Sequence, residues 1–325
     1  ACVRSILASD PVGNGADIEV LVYDDGSTDR TTEILASLAE QDARVRACPT
    51  EPLPASWNGK PHACWQMSRN ARAPIQLFTD ADVRFEPAAI GSALAAREAL
   101  GAGMLSTFPR QITGALSEKL VVPMIFFILF SYLPFVRMRK SMDPGTSAAC
   151  GQFIMLTREA YDASGGHESV GNSMHEGVKL PRLVRKAGHK TDLFDGTDLC
   201  SVRMYRGLGE TWRGFAKNAY EGLGSPIVLV VFTLMHVLGH LVPPAVLIAA
   251  ALGAEIDRVP IALAGAAVVL ALIERLILAR RMRTSLVGAL LHPLGVLLMT
   301  IIQWHSLYLH VTGKRSWRGR TAGET

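Results

Sequence analysis

Two carboxylates spaced i, i+2 at the end of a short apolar run are the first residues here whose types and spacing suit chemistry. In Pro74-Ile75-Gln76-Leu77-Phe78-Thr79-Asp80-Ala81-Asp82-Val83 the run Ile75, Leu77, Phe78 reads as a buried strand. Alternate residues of an extended chain project to the same side, so Asp80 and Asp82 can converge just past the strand end. The carboxyl ends of strands are where α/β sheets bind ligands. Two hard oxygen donors there suit a divalent cation that keeps water and takes further ligands from substrate phosphates. The simpler reading is a solvated turn with an Asp cap before a helix near Pro87.

Two further loops have matching chemistry. Ile18–Tyr23 reads as a strand ending in Asp24-Asp25-Gly26-Ser27-Thr28-Asp29, with a helix expected over 30–41. Strand, acidic glycine-containing turn and helix make half of a nucleotide-binding βαβ unit. Asp24 and Asp25 are placed as acceptors for a base or ribose, and Asp29 as a helix cap. Pro54-Ala55-Ser56-Trp57-Asn58-Gly59-Lys60-Pro61 sets a glycine beside a lysine, allowing close backbone approach and a point charge for phosphate. It lacks Walker A spacing. Downstream, Ser173-Met174-His175-Glu176-Gly177 opens an amphipathic helix. Glu176 fits the helix macrodipole, and fits equally a general base for an acceptor hydroxyl. Arg203, and Trp212 with Arg213, are read either as a juxtamembrane belt or as contacts for diphosphate or acceptor. Trp57 and His175 are further candidates for such contacts, with His175 read as structural rather than as a metal ligand.

The elements that must position these groups follow an α/β order through about residue 225. Residues 1–9 read as the end of a helix, 45–47 as a short strand, 62–72 and 87–100 as helices, and 103–107 and 151–156 as strands. Hydrophobic residues make up 49% of the chain and mean hydropathy is +0.23, high for a soluble enzyme, with the excess concentrated late. Three apolar segments, about 226–252, 259–279 and 286–311, are each long enough for roughly 30 Å of hydrocarbon. The expected division is therefore a head over 1–225, membrane helices over 226–312 and a basic tail over 313–325. Leu116–Val136 is read as a membrane-surface helix with a basic end, the alternative being a buried core helix. Pro243-Pro244 and His292-Pro293 leave the number of full crossings open. The net charge of +4 forms no stripe interleaved with aromatics, which argues against nucleic-acid binding. Five scattered cysteines fit a reducing compartment better than a disulfide frame. The opening Ala1-Cys2-Val3, without Met, suggests that an N-terminal segment is missing.

Taken in order, Asp24-Asp25-Gly26-Ser27-Thr28-Asp29, Trp57-Asn58-Gly59-Lys60, Thr79-Asp80-Ala81-Asp82 and Glu176 with Leu180-x-Arg182 resemble a family 2 glycosyltransferase. The resemblance is to the membrane-anchored branch that includes ceramide glucosyltransferase and the carotenoid and hopanoid glycosyltransferases. It implies a GT-A fold, a nucleotide-diphosphate sugar donor, Mg²⁺ or Mn²⁺, a lipid or polyprenyl-type acceptor and an inverting transfer. The catalytic domain would lie on the cytoplasmic side of a bacterial inner membrane. By the family's pattern Asp24 and Asp25 face the nucleoside, Lys60 lies near the nucleotide, Asp80 and Asp82 serve ribose and metal, and Glu176 is the base. Three departures stand out. The family's first strand is not present, its usual Glu-Asp pair reads Glu176-Gly177, and the Gln/Arg-x-x-Arg-Trp signature of the synthases is missing. The last favours single transfer over processive synthesis. The first two motivate the alternative of a catalytically degenerate nucleotide-sugar-binding membrane protein. A transporter-like reading is disfavoured by the few charges inside the apolar segments.

Overall fold

The structure is a computed structural model of the 325-residue chain; it describes residues 1–9, 18–314, 316–317 and 320–321. Residues 10–17 and most of the basic tail lie outside the described residues. The chain divides into two compact units. One comprises residues 1–109 and 133–202; the other comprises 110–132 and 203–324.

The first unit is built on short strands. β1 (Val20–Val22) pairs in parallel with β2 (Val45–Ala47). β3 (Ile75–Thr79) runs antiparallel to the strand Phe153–Thr157, which also flanks Met104–Ser106; that strand in turn pairs in parallel with Thr191–Leu193. Phe153–Thr157, Phe-Ile-Met-Leu-Thr, is therefore an inner strand covered on both faces, and it reads as a continuous apolar run. β3 shows the alternation of a half-covered strand, burying Gln76 and Phe78. Phe78, Ile154, Leu156, Tyr161, Leu180 and Val184 close one core between sheet and helices.

The helix Glu176–Lys186 is pinned at both ends. Near its C-terminus Arg185, 3% exposed, donates to the carbonyls of Met138 (2.7 Å), Asp143 (3.0 Å) and Thr191 (3.0 Å) and to Thr146 Oγ1 (3.0 Å). A buried guanidinium holds its shape only when its donors are satisfied, and these acceptors come from three separate segments. At its start, Gly177 packs directly on the Ala149 carbonyl and accepts from Ala149 N at 2.7 Å. Any side chain at 177 would collide there. The departure from the Glu-Asp pair thus has a local steric reason.

The second unit is helical. Leu116–Val136 is not one helix: it divides into Leu116–Val121 and Met124–Tyr132, which belong to this unit, and the start of Phe135–Lys140, which belongs to the first, with breaks at Pro123 and Pro134 where proline removes a donor. Within the unit, Leu120, Val121, Met124 and Phe127 pack with Phe215, Val296, Met299 and Ile302. Among the described residues three helices are long and apolar enough to cross a membrane: Pro226–Ala251, Arg258–Arg281 and His292–Val311. The first contains a π turn at Val237–Leu241 just before Pro243. The expected 286–311 segment breaks after Leu291 into Leu286–Leu290 and His292–Val311, with Pro293 in the first turn where its missing N–H costs nothing. All five cysteines are free.

Candidate active site

Lys60 is the hub of the first unit's polar centre. Its Nζ lies 2.6 Å from Asp80 Oδ1, 2.8 Å from Glu176 Oε1 and 3.0 Å from the Gly151 carbonyl. Three donors thus meet three acceptors. The groups come from a helix start, a strand end, a loop and another helix start, more than a hundred residues apart in sequence. Gly151 makes room for them, since a β-carbon there would sit 2.5 Å from Glu176 Oε1 and 2.9 Å from Lys60 Nζ.

Electrostatics fix the protonation states. Burial works against the Lys60 charge, but Glu176 and then Asp80 outweigh it and hold the ammonium well above its ordinary range. Burial likewise pushes Glu176 up, and Lys60 more than reverses this, leaving the carboxyl below its usual value. Glu176 is therefore ionised at neutral pH, although only 7% exposed. Beneath it His167 is fully buried, its backbone N donating to Tyr161 Oη at 3.1 Å and its ring 4.6 Å from Phe78. Desolvation lowers His167 to about 4, so it is neutral. In the sequence His167 simply follows the pair Gly165-Gly166, with no neighbour that marks it.

Asp82 follows Asp80 across an exposed turn. Partial desolvation and, second, the negative charge of Asp80 push its carboxyl up. Two carboxylates that raise each other's energy are relieved by a shared cation, and their hard oxygens fit Mg²⁺ or Mn²⁺. Among the described residues no group of three or more His, Cys, Asp or Glu gathers for a metal. A cation held by Asp80 and Asp82 would thus draw its other ligands from water and phosphate, as Mg²⁺ sites do.

The remaining sequence-marked residues divide. Asp25 lies at the N-terminus of the helix Gly59–Asn70, where a β-carbon on Gly59 would be 2.8 Å from its Oδ2. Asp24 spends its oxygens locally, accepting from Ser27 N at 2.9 Å and Thr32 Oγ1 at 2.7 Å. The bonds from Ser27 and Thr32 lower its pKa. Asp29 accepts from Thr31 N at 3.0 Å, but it stands one residue before the N-cap position, which Arg30 occupies without a side-chain capping bond. Trp57 lies on Gly171, 2.5 Å from the position of a β-carbon there, while Asn58 N donates to the Gly171 carbonyl at 2.7 Å. Trp57 thus ties the lysine loop to the segment leading into Glu176. His175 occupies the N-cap position directly before Glu176 without a side-chain capping bond. Arg203, Trp212 and Arg213 belong to the second unit. There Arg203 pairs with Glu118 at 3.3 Å, Trp212 Nε1 donates to His305 Nδ1 at 3.0 Å, and Arg213 is exposed on the helix Gly207–Ala216.

The 4,4'-diaponeurosporenoate glycosyltransferase of Staphylococcus aureus (strain USA300) is 28% identical over 214 residues, which is 64% of this chain and 54% of the relative. Its counterpart in strain MRSA252 matches to the same extent. The chain spans about half the length of these relatives, 54%. Among solved structures, a mannosyltransferase from Pyrobaculum calidifontis in complex with GDP-Man and Mn²⁺ aligns over 93% of this chain and 81% of its own, with TM-score 0.55 and 18% identity. That likeness is one of fold, GT-A. The model of the family described as Glycosyl transferase family 2 matches residues 1–165. With half of its length so matched, the chain belongs to glycosyl transferase family 2.

Proposed function

We propose that the protein is an inverting, metal-dependent glycosyltransferase that moves a sugar from a nucleotide-diphosphate donor to the hydroxyl of a membrane lipid. The observation that carries this is the meeting of Glu176, Lys60 and Asp80 at one point, with an ionised and nearly buried carboxylate beside a strand-end acid pair. The relatives named as 4,4'-diaponeurosporenoate glycosyltransferases and the three apolar helices support a lipid acceptor and a membrane location.

In this reading Asp25 and the loop around it take the nucleoside, and Asp80 and Asp82 hold the cation. When bound, the cation offsets the negative charge that grows on the departing diphosphate. Glu176 accepts the proton of the acceptor hydroxyl as its oxygen forms a bond to the anomeric carbon. The bond from that carbon to the diphosphate oxygen breaks in the same displacement, which inverts the configuration. Lys60 keeps Glu176 ionised and fixed in direction.

The test is to screen nucleotide sugars for release of nucleoside diphosphate by the protein in membranes with Mn²⁺ and lipid extract, beside Asp82→Ala and Glu176→Gln. Loss of turnover in both, with nucleotide binding kept in Glu176→Gln, is expected. Activity surviving both changes would place the chemistry elsewhere. Nucleotide binding without turnover on any donor would favour the degenerate, non-catalytic alternative.

A further inference from the structure

The apolar helices of the second unit hold a set of ionisable side chains that the chemistry at Glu176 does not use. His240 sits in the π turn Val237–Leu241, its Nδ1 3.1 Å from Nε2 of His292. His236, fully buried, meets Thr300 Oγ1 through Nδ1 at 3.1 Å. Arg275, 2% exposed, lies 5.8 Å from the Phe127 ring centroid, and next to it in sequence Glu274 accepts from Ser131 Oγ. Ionisable groups within membrane helices are costly and commonly mark a ligand or ion path, and π turns recur at functional sites.

Of these, His240, Glu274 and Ser131 line a groove of about 610 Å³, together with Phe127, Tyr132, Leu234 and Leu238 among others. The volume falls in the range of small-molecule sites. Two polar atoms on its wall lack a hydrogen-bond partner among the described residues. One is His240 Nε2, since the bond to His292 uses Nδ1; the other is Tyr132 Oη. In hydrocarbon no water is at hand to satisfy them. A hydroxyl both donates and accepts, so it can answer the histidine nitrogen and the phenol together. An anionic head is disfavoured because Glu274, not Arg275, lines the groove. Leu234 and Leu238 are 53% and 64% exposed, and they extend the wall as an apolar track open to the bilayer side.

We infer that this groove binds a long-chain lipid alcohol, its hydroxyl held by His240 Nε2 and Tyr132 Oη and its chain lying along Leu234 and Leu238. Glu274 lies seven residues from Arg281, the basic end of its helix, about 10 Å along the axis. That depth suits a head group just inside the interface. The inference does not depend on the role given to Glu176, and it is read by binding rather than turnover.

The test uses the whole chain in lipid nanodiscs with three photoreactive probes of equal length: a C20 isoprenoid alcohol, the matching hydrocarbon and the matching carboxylic acid. Labelled peptides are located by mass spectrometry. The alcohol should label the peptide containing Leu234 and Leu238 about 10-fold above either other probe. Tyr132→Phe, which deletes a single oxygen, should lower that labelling about 2- to 10-fold, the worth of one hydrogen bond. Combined Tyr132→Phe and His240→Leu should abolish the preference, while Leu252→Ala at a position 84% exposed should leave it intact. Equal labelling by alcohol and hydrocarbon would mean that ordinary bilayer chains fill the groove, and would overturn the proposal. So would preference for the acid, or an unchanged preference in Tyr132→Phe. The single variant decides the matter if the double variant loses its helical circular dichroism.

Discussion

Gly151 and Glu176 approach so closely that a β-carbon on the glycine would lie 2.5 Å from the carboxylate oxygen Oε1 that Lys60 holds. The same β-carbon would stand 2.9 Å from Lys60 Nζ. The bare backbone at 151 is therefore part of the site: its carbonyl takes one lysine donor, and its missing side chain leaves space for the ion pair.

Gly151→Ala should consequently act on activity far more than on stability. Neither Glu176 nor Lys60 can keep its position, and displacement of a reacting group by about 1 Å costs on the order of 10²-fold in rate. The thermal midpoint should move less, because the atoms that the β-carbon meets are the ends of two side chains, which can shift, rather than backbone. Steady-state turnover beside a melting curve checks this. A variant that melts early but turns over normally would show that 151 is a packing position only.

Glu176→Gln removes the proposed proton acceptor and should lower kcat by about 10²–10⁴-fold, the range typical of a general base. The pH profile adds a sign. Lys60 depresses the Glu176 carboxyl below its ordinary value, against the upward pull of burial. The base is thus ionised from the upper end of the range down to its depressed pKa, and the acid limb of kcat/KM should lie below the ordinary glutamate value. In Lys60→Met the largest opposing charge is gone and burial weighs more, so the acid limb should move to higher pH. An acid limb that stays put in Lys60→Met would dissociate the limb from Glu176.

Much of this was legible because the signals are local. Asp80 and Asp82 end an alternating strand, Asp29 precedes a helix start by two residues, and Gly59 adjoins Lys60; each needs only neighbours in sequence to be read. What escaped is set by contacts between distant segments. Lys60 looked like a point charge for phosphate, and nothing near it in sequence shows that its donors are already met by Asp80, Glu176 and Gly151. Asp24 resembled a ligand-facing acid, yet a Thr eight residues on, Thr32, takes one of its oxygens. Residues 110–132 group with the C-terminal helices, whereas the change in composition is read near residue 225, because apolar helices pack with one another whatever lies between them in the chain.

Gly177 offers a test of steric against electrostatic preference. An acidic residue in the first turn of a helix gains about 0.3–1 kcal/mol from the macrodipole, and the family's usual residue at this position is Asp. The Ala149 carbonyl occupies the space that any β-carbon at 177 needs. Overpacking of this kind costs about 1–3 kcal/mol, so the clash outweighs the dipole. Gly177→Asp and Gly177→Ala should both be destabilised, by similar amounts, in thermal or denaturant unfolding. Restoration of stability by Asp alone would show that the loop at 149 yields and that charge governs the position.

Glu118 governs the second unit in a different way. It is 1% exposed, and its Oε2 accepts from Gly114 N at 2.6 Å while its Oε1 accepts from Gly207 N at 2.7 Å, with Arg203 at 3.3 Å. Burial favours the neutral acid, but these donors prevail and bring the carboxyl down to about 2. A pKa depressed on folding contributes stability that is present above the unfolded value, near 4.5, and is lost as pH falls through the folded one. Glu118→Gln must turn an amide NH₂ toward one of the two N–H groups, whichever way it flips, and should cost about 2–3 kcal/mol at pH 7. Protonation puts the same defect into the parent, since an O–H then faces a donor. The gap in thermal midpoint between parent and Glu118→Gln should therefore be full at pH 7 and narrow steadily between about pH 5 and pH 2, across the two pKa values. A gap that is constant down to the lowest pH at which the protein stays folded would assign Glu118 to packing, and a gap absent at pH 7 would mean that the loop at 114 and the helix start at 207 find other acceptors.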